Sequence, residues 1–156
     1  MQQSVQPNLA ETSDSELVAQ LLETLTLVPY EEGVFIGQSH DYVGARIFGG
    51  QVLAQALMAA SHTVDSARAC HSLHGYFLRG GDIKKPVFYR VERLRDGHSL
   101  SARQVTATQM DNANQPKVIF TMLASFAPYE QGLEYQAPMP QCPAPDMLLT
   151  EQQLKD

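Results

Sequence analysis

The chain has 156 residues, 44% of them hydrophobic and 18% charged, and a formal net charge of −6. That length suits one domain with a real hydrophobic core, and the composition excludes a disordered chain. The acidic balance argues against a general nucleic-acid binder, and no apolar stretch reaches the ~18 residues of a membrane span.

Met1 to Asn8 carry neither the basic residues nor the apolar run of a signal peptide. Cys70 and Cys142 lack any close spacing, so no disulfide framework and no metal motif follows; both read as reduced thiols of a cytoplasmic protein. Residues 1–13 are polar and read as a flexible tail. Ser13-Asp14-Ser15-Glu16 is a capping box, with Ser13 as cap and Glu16 reaching back to it. Leu17, Leu21, Leu22 and Leu25 follow at helical spacing, which predicts an amphipathic helix over 14–26 closed off by Pro29. Val34 to Gln38 is a short strand, and Ser39 to Phe48 a loop that delivers the chain to its central feature.

That feature begins at Gly49-Gly50-Gln51. From Val52 to Ala60 the only polar residue is Gln55, so the helix should be buried nearly all round. From Gly50 to Val64 it would span roughly 22 Å. The two glycines place bare backbone N–H groups at its positive end, where an anion or oxyanion can sit. A core helix after a tight turn would show the same pattern.

After the helix the period changes. Cys70–Arg79 and Val87–Arg95 read as strands, the second entered at Pro86. Asp96-Gly97 is a two-residue hairpin signal, and Ser99–Met110 the returning strand. Residues 111–116 form the next turn. Lys117–Ala127 is the last strand, with Val118, Phe120, Met122, Ala124 and Phe126 on one face. Short connections imply antiparallel pairing of these four strands as a meander. Residues 128–156 hold five prolines by Pro145 and read as a linker. The helix start at Thr150–Leu154 leads us to expect that the chain continues in a longer parent. The predicted architecture is α+β, a curved antiparallel sheet wrapped around one long central helix, the hotdog arrangement.

Eight of the eleven basic residues lie between positions 68 and 103, opposed there by Asp82, Glu92 and Asp96. A locally basic face on an acidic protein suits a small polyanion, although solvated strand ends would look the same. Asp96 is explained by its turn, and Asp82 by pairing with Arg79 or the lysines. His71 and His74, three apart on one strand, should face opposite sides and form no metal pair. Gln51 is either a ligand-bonding group or a plain helix-start residue. Val52, Met58, Phe77 and Met122 could line an apolar tunnel or simply fill the core.

Three motifs together resemble the type II acyl-CoA thioesterases, a double-hotdog family. They are Phe48-Gly49-Gly50-Gln51, His71-Ser72-Leu73-His74-Gly75-Tyr76-Phe77-Leu78-Arg79, and the run from Arg95 to Val105. The resemblance covers about residues 15–146 and the N-terminal half of such a protein. Gly80, where relatives usually have Pro, and Leu100, where Phe is usual, depart from the pattern. The resemblance implies acyl-CoA as substrate, hydrolysis to free fatty acid and CoA, and no cofactor or metal. It also implies a second hotdog domain, or a homodimer through the sheet edge, as partner. The family's Asp, Thr or Ser, and Gln trio belongs to the second half and transfers to no residue here. Within this chain, the expected oxyanion or substrate-binding residues are Gly49, Gly50, Gln51, His74, Arg79 and Asp82, with oxyanion donors from the amides of Gly50 and Gln51. Lys84, Lys85, Arg93 and Arg95 are the candidates for the CoA phosphates. The alternative is a catalytically silent hotdog that binds acyl-CoA or serves assembly. A hotdog hydratase would need a histidine and an acid near the helix start, and after Asp41 none appears until His62.

Overall fold

The structure, a computed structural model, describes residues 13–39 and 46–155. Residues 1–12 of the expected tail, and Asp41 in the loop, lie outside the described residues. Among the described residues six strands form one antiparallel sheet: β1 (Val28–Glu31), β2 (Val34–Gly37), β3 (Arg68–Phe77), β4 (Val87–Asp96), β5 (Ser101–Met110) and β6 (Pro116–Pro128). Helix α1 (Asp14–Leu25) starts at the predicted capping box: the Ser13 N–H donates to Glu16 Oε2 at 2.9 Å, and the Glu16 N–H to Ser13 Oγ at 3.4 Å. Helix α2 (Gly49–Ser61) lies against one face of the sheet. This is the predicted hotdog.

The sheet order is β1-β2-β4-β5-β6-β3, which corrects the simple meander. Strand β3 pairs with β6, not β4, so the segment after β3 crosses the end of the sheet. Strand β1 was not predicted. Pro29 does not merely stop the helix; it sits inside an edge strand, where a missing N–H is tolerated. The β1–β2 turn is Glu32-Gly33, with Gly33 at φ +69°. The Asp96-Gly97 expectation fails in the other direction. Residues 97–100 all lie between β4 and β5, closed by the Gly97 N–H donating to Leu100 O at 2.9 Å. Gly97 does not take the positive φ of a two-residue turn; among the described residues only Gly33 and Asn114 do.

Alternation puts Val87, Tyr89 and Val91 of β4 toward α2, with Val105 and Ala107 of β5 and Phe120, Met122, Ala124 and Phe126 of β6. Two bulges shift this phase. One between Ala107 and Thr108 puts Ile119 inside and pairs Val118 with outward Thr108, correcting the inner-face assignment of Val118. The other, between Cys70 and Ser72, pairs Ser72 with Ser125 and Leu73 with Ala124. It brings His71 and His74 onto the same outer face, against the expectation: His71 Nε2 bonds Ser125 Oγ at 2.9 Å, and His74 opposes Leu123.

Helix α2 is not buried all round. Gln51, Val52, Gln55, Ala56, Ala59 and Ala60 are buried, while Leu53, Ala54, Leu57 and Met58 stay half-exposed on the other side. Residues 129–155 are exposed throughout and include one 3-10 turn, Pro145–Met147. Thr150 and Gln153 close a single helical turn, the Gln153 N–H donating to Thr150 Oγ1 at 3.3 Å.

Candidate functional site

The start of α2 carries no side-chain cap, and its first turn holds no acid. The Gln51 N–H already donates to Phe48 O at 3.1 Å, so it is not a free oxyanion donor. The N–H groups of Gly49 and Gly50 precede the first helical bonds and have no acceptor among the described residues. Both glycines admit close approach. A Cβ on Gly49 would meet the Phe77 ring at 3.2 Å, and one on Gly50 the Phe48 ring at 2.4 Å.

Two glutamines one turn apart fix the chain on one side of this helix start. Gln55 is fully buried; its Nε2 donates to Thr24 O at 2.6 Å and Gln38 O at 2.9 Å, and its Oε1 accepts from Tyr89 Oη at 2.7 Å. Carbonyl acceptors fix the orientation of the amide, because an oxygen there would face oxygen. Burial pushes the Tyr89 phenol well above its usual pKa, which keeps it a donor. Gln51, 8% exposed, uses its Nε2 on Gln38 O at 3.2 Å and Ser39 Oγ at 2.8 Å. Its Oε1 is left without a protein partner among the described residues.

On the other side, Ile47 pairs with Gly81 and Arg46 with Asp82. The carbonyl exposed by the β6 bulge, Ile119 O, accepts from the N–H groups of Leu78 and Arg79, and Arg79 Nη1 donates to Val118 O at 2.8 Å. The result is a cavity of about 350 Å3 between Arg46, Gly49, Phe77, Arg79 and Gly81. A second of about 270 Å3 adjoins it, lined by Arg79, Asp82, Lys85, Gln109 and Lys117. Asp82 does not pair with Arg79 or a lysine side chain. Its Oδ1 accepts the Lys84 N–H at 2.9 Å, a local turn bond. Buried Gln109 holds the same turn through Asp82 O and Lys85 O. Lys85 Nζ is engaged by Met110 O and Asn112 Oδ1, while Lys84 is exposed.

The structure therefore brings Gly49, Arg79, Asp82 and Lys85 to one end and leaves other candidates elsewhere. His74 lies on the outer face, edge-on to Tyr76 with ring centroids 4.7 Å apart. Arg93 and Arg95 sit at the far end of β4. Its ten residues cover about 30 Å, so they cannot hold the same phosphate as Lys84 and Lys85. At that far end Arg103 closes the helix C-terminus. It is 1% exposed; its Nε donates to Thr63 Oγ1, its Nη1 to Arg95 O and Ala102 O, and its Nη2 to Thr63 O and Asp96 Oδ1. Of the possible lining residues, Val52 and Met122 are core, Met58 is half-buried, and Phe77 tilts against Phe120 at the exposed edge. Among the described residues, no three His, Cys, Asp or Glu side chains converge to hold a metal ion.

A glycine-led helix start presented by a hotdog sheet defines the class: a hotdog domain. The family model described as acyl-CoA thioesterase N-terminal domain matches residues 37–127, and the chain belongs to this family. Human acyl-coenzyme A thioesterase 8 is 42% identical over 133 residues, 85% of this chain and 40% of that protein. Acyl-CoA thioesterase 2 of Haemophilus influenzae is 40% identical over 132 residues, 85% of this chain and 44% of that protein. Among solved structures, a tesB protein of Mycobacterium avium subspecies paratuberculosis is 38% identical with a TM-score of 0.71, covering 82% of this chain and 49% of that one. The chain thus spans less than half the length of the curated relatives it matches. No helix among the described residues is long and apolar enough to cross a membrane.

Proposed function

We propose that this chain is the N-terminal hotdog unit of an enzyme that hydrolyses acyl-CoA thioesters to free fatty acid and CoA. The observation that carries the reading is the uncapped start of α2, where Gly49 lines the cavity of Arg46 and Arg79 and Gly50 the cleft on its other side. In thioester hydrolysis, water adds to the carbonyl carbon and the carbonyl oxygen becomes an oxyanion. The C–S bond then breaks, and CoA leaves as the thiol once a proton reaches sulfur. Free amides at a positive helix end stabilise that oxyanion. Arg79 and Lys85 at the adjoining cavity, which Asp82 and the Lys117–Asp111 ion pair also line, suit one phosphate group of CoA.

Among the described residues no base that could activate water stands at this helix start, whose first turn has no acid, and the carboxylate of Asp82 is engaged in its own turn. In our reading a second hotdog unit supplies it, as the family resemblance implies. That unit joins through the β3 edge, either from the same polypeptide or from another copy. Residues 14–127 form the unit, and 128–156 the linker. The free thiols of Cys70 and Cys142 fit a cytoplasmic setting.

The absence of an acid from the first turn favours one second reading, a unit that binds acyl-CoA without turning it over. The test is thiol release from short, medium and long acyl-CoAs, with binding measured in parallel. Turnover supports hydrolysis by a self-paired unit. Binding without turnover supports the silent reading for this chain alone, and absence of both refutes the proposal.

A further inference from the structure

A cleft between the two helices is left unexplained by the oxyanion site. It holds about 500 Å3 and is lined by Leu21, Thr24, Leu25, Phe48, Gly50, Gln51 and Ala54. That volume lies within the roughly 300–1,000 Å3 of ligand pockets. Its walls are apolar except at Thr24, whose hydroxyl donates to Gln20 O, and at Gln51. Leu21 and Leu25 come from α1, Phe48 and Ala54 from the start of α2, and Gln51 is nine-tenths buried.

The cleft is built rather than incidental. Gln55 ties α1 to α2 through Thr24 O, and ties both to the sheet through Tyr89. A Cβ on Gly37 would lie 2.5 Å from Gln55 Oε1, so the bare backbone there keeps room for this tie. Because both Gln51 and Gln55 donate to Gln38 O, the Gln51 amide is locked with its nitrogen toward the loop. Its Oε1 is then the end of the amide left without a donor among the described residues. At the mouth stands Gly50, whose N–H belongs to the open helix start.

We infer that this cleft receives the acyl chain of the thioester, with Leu21, Leu25 and Ala54 setting the chain length accepted. The inference rests on the acyl-CoA reading above. A thioester carbonyl at the Gly50 amide has an apolar surface running from it along α2 toward Ala54, and α1 forms the opposite wall. An unbranched chain suits such a slot. The β3 edge offers unpaired backbone and suits a strand instead.

The test uses non-hydrolysable thioether analogues of CoA with four-, eight- and twelve-carbon chains, and CoA itself, titrated calorimetrically onto the whole chain. Each methylene that enters the cleft should tighten binding about fourfold until the cleft is full. Ala54→Leu, a substitution that suits a helix, should end this gain at a shorter chain while leaving CoA unchanged. Leu21→Asp, on an exposed wall that the fold does not need, should weaken the twelve-carbon analogue at least tenfold, again without affecting CoA. If both variants keep the wild-type gain per methylene, the cleft is not the chain site and the acyl-CoA reading stands. If Leu21→Asp instead halves the mass in solution and keeps the gain, α1 faces a partner and the inference is overturned. If the wild type binds neither CoA nor any analogue, the inference falls together with the reading on which it rests.

Discussion

Arg103 shows how one residue can carry both a charge and a packing role. It stands on β5 between Ser101 and Val105, all on the helix-facing side. A guanidinium there would cost several kcal/mol if unpaired. Every N–H group instead finds an acceptor, two of them on Thr63 beyond the end of α2, where a cation also meets the negative end of the helix. Its partner Asp96 is an exposed carboxylate whose pKa lies below the ordinary 3.8, first through the hydrogen bond from Arg103 and then through that from Ser101. Because the folded pKa is the lower one, the pair's contribution is present above the ordinary value and lost as pH falls through the folded value. Denaturant titrations should show wild type more stable than Asp96→Asn at neutral pH, with the gap closing in acid below 3.8. A gap that stays constant into strong acid would show that Asp96 contributes no pH-linked stability.

At the scale of elements, the β1–β2 hairpin depends on one backbone conformation. Gly33 has φ +69°, a Cβ added there would sit 3.0 Å from Val91 O, and Gly33 O accepts the Val91 N–H at 2.7 Å. Gly33→Ala should cost about 1–2 kcal/mol from the left-handed conformation alone. Gly132→Ala, with nothing within 4 Å, should cost almost nothing. Thermal melts of the two variants decide this, and equal melting temperatures would contradict it. The sequence made some of these elements legible and concealed others. The Ser13–Glu16 box and the apolar run after Gly50 were readable because each is local. The single polar residue in that run, Gln55, marked the buried tie to Tyr89, since a lone glutamine in an apolar helix needs partners. The phase of Arg103 with Val105 carried a similar signal, but in the sequence Arg103 counted only as part of a locally basic face. Strand β1 was hidden because four residues carry too little period and Pro29 reads as a stop. The bulge at His71 left no trace, so the two histidines were assigned opposite faces. The β3–β6 pairing is long-range, and the spacing of the strands does not encode it. The acyl cleft was not seen, because no periodicity states how two helices lean on each other.

At the scale of the molecule, the surface left uncovered is as informative as the core. Strand β3 is ten residues long and lies at one edge of the sheet, its outer side unpaired among the described residues. Leu73, Tyr76, Phe77 and Leu78 are exposed along and just beyond it, with Leu123 beside it on β6. A long edge with apolar side chains is a template for another strand. At the opposite edge, β1 is four residues long and carries a proline, which blunts it. Association should therefore run through β3 and bury its apolar side chains. With a net charge of −6 per chain, two copies repel, so salt should tighten rather than weaken the pair. Light scattering should give a mass near twice 17.2 kDa. Leu73→Lys places a cation on the partly exposed apolar edge and should return the chain to a monomer without unfolding it. A wild type that stays monomeric at high salt would remove the β3 interface. The second hotdog unit would then have to meet this one by another surface, because pairing at β3 is what would set a partner's residues beside Phe77 and Gly49.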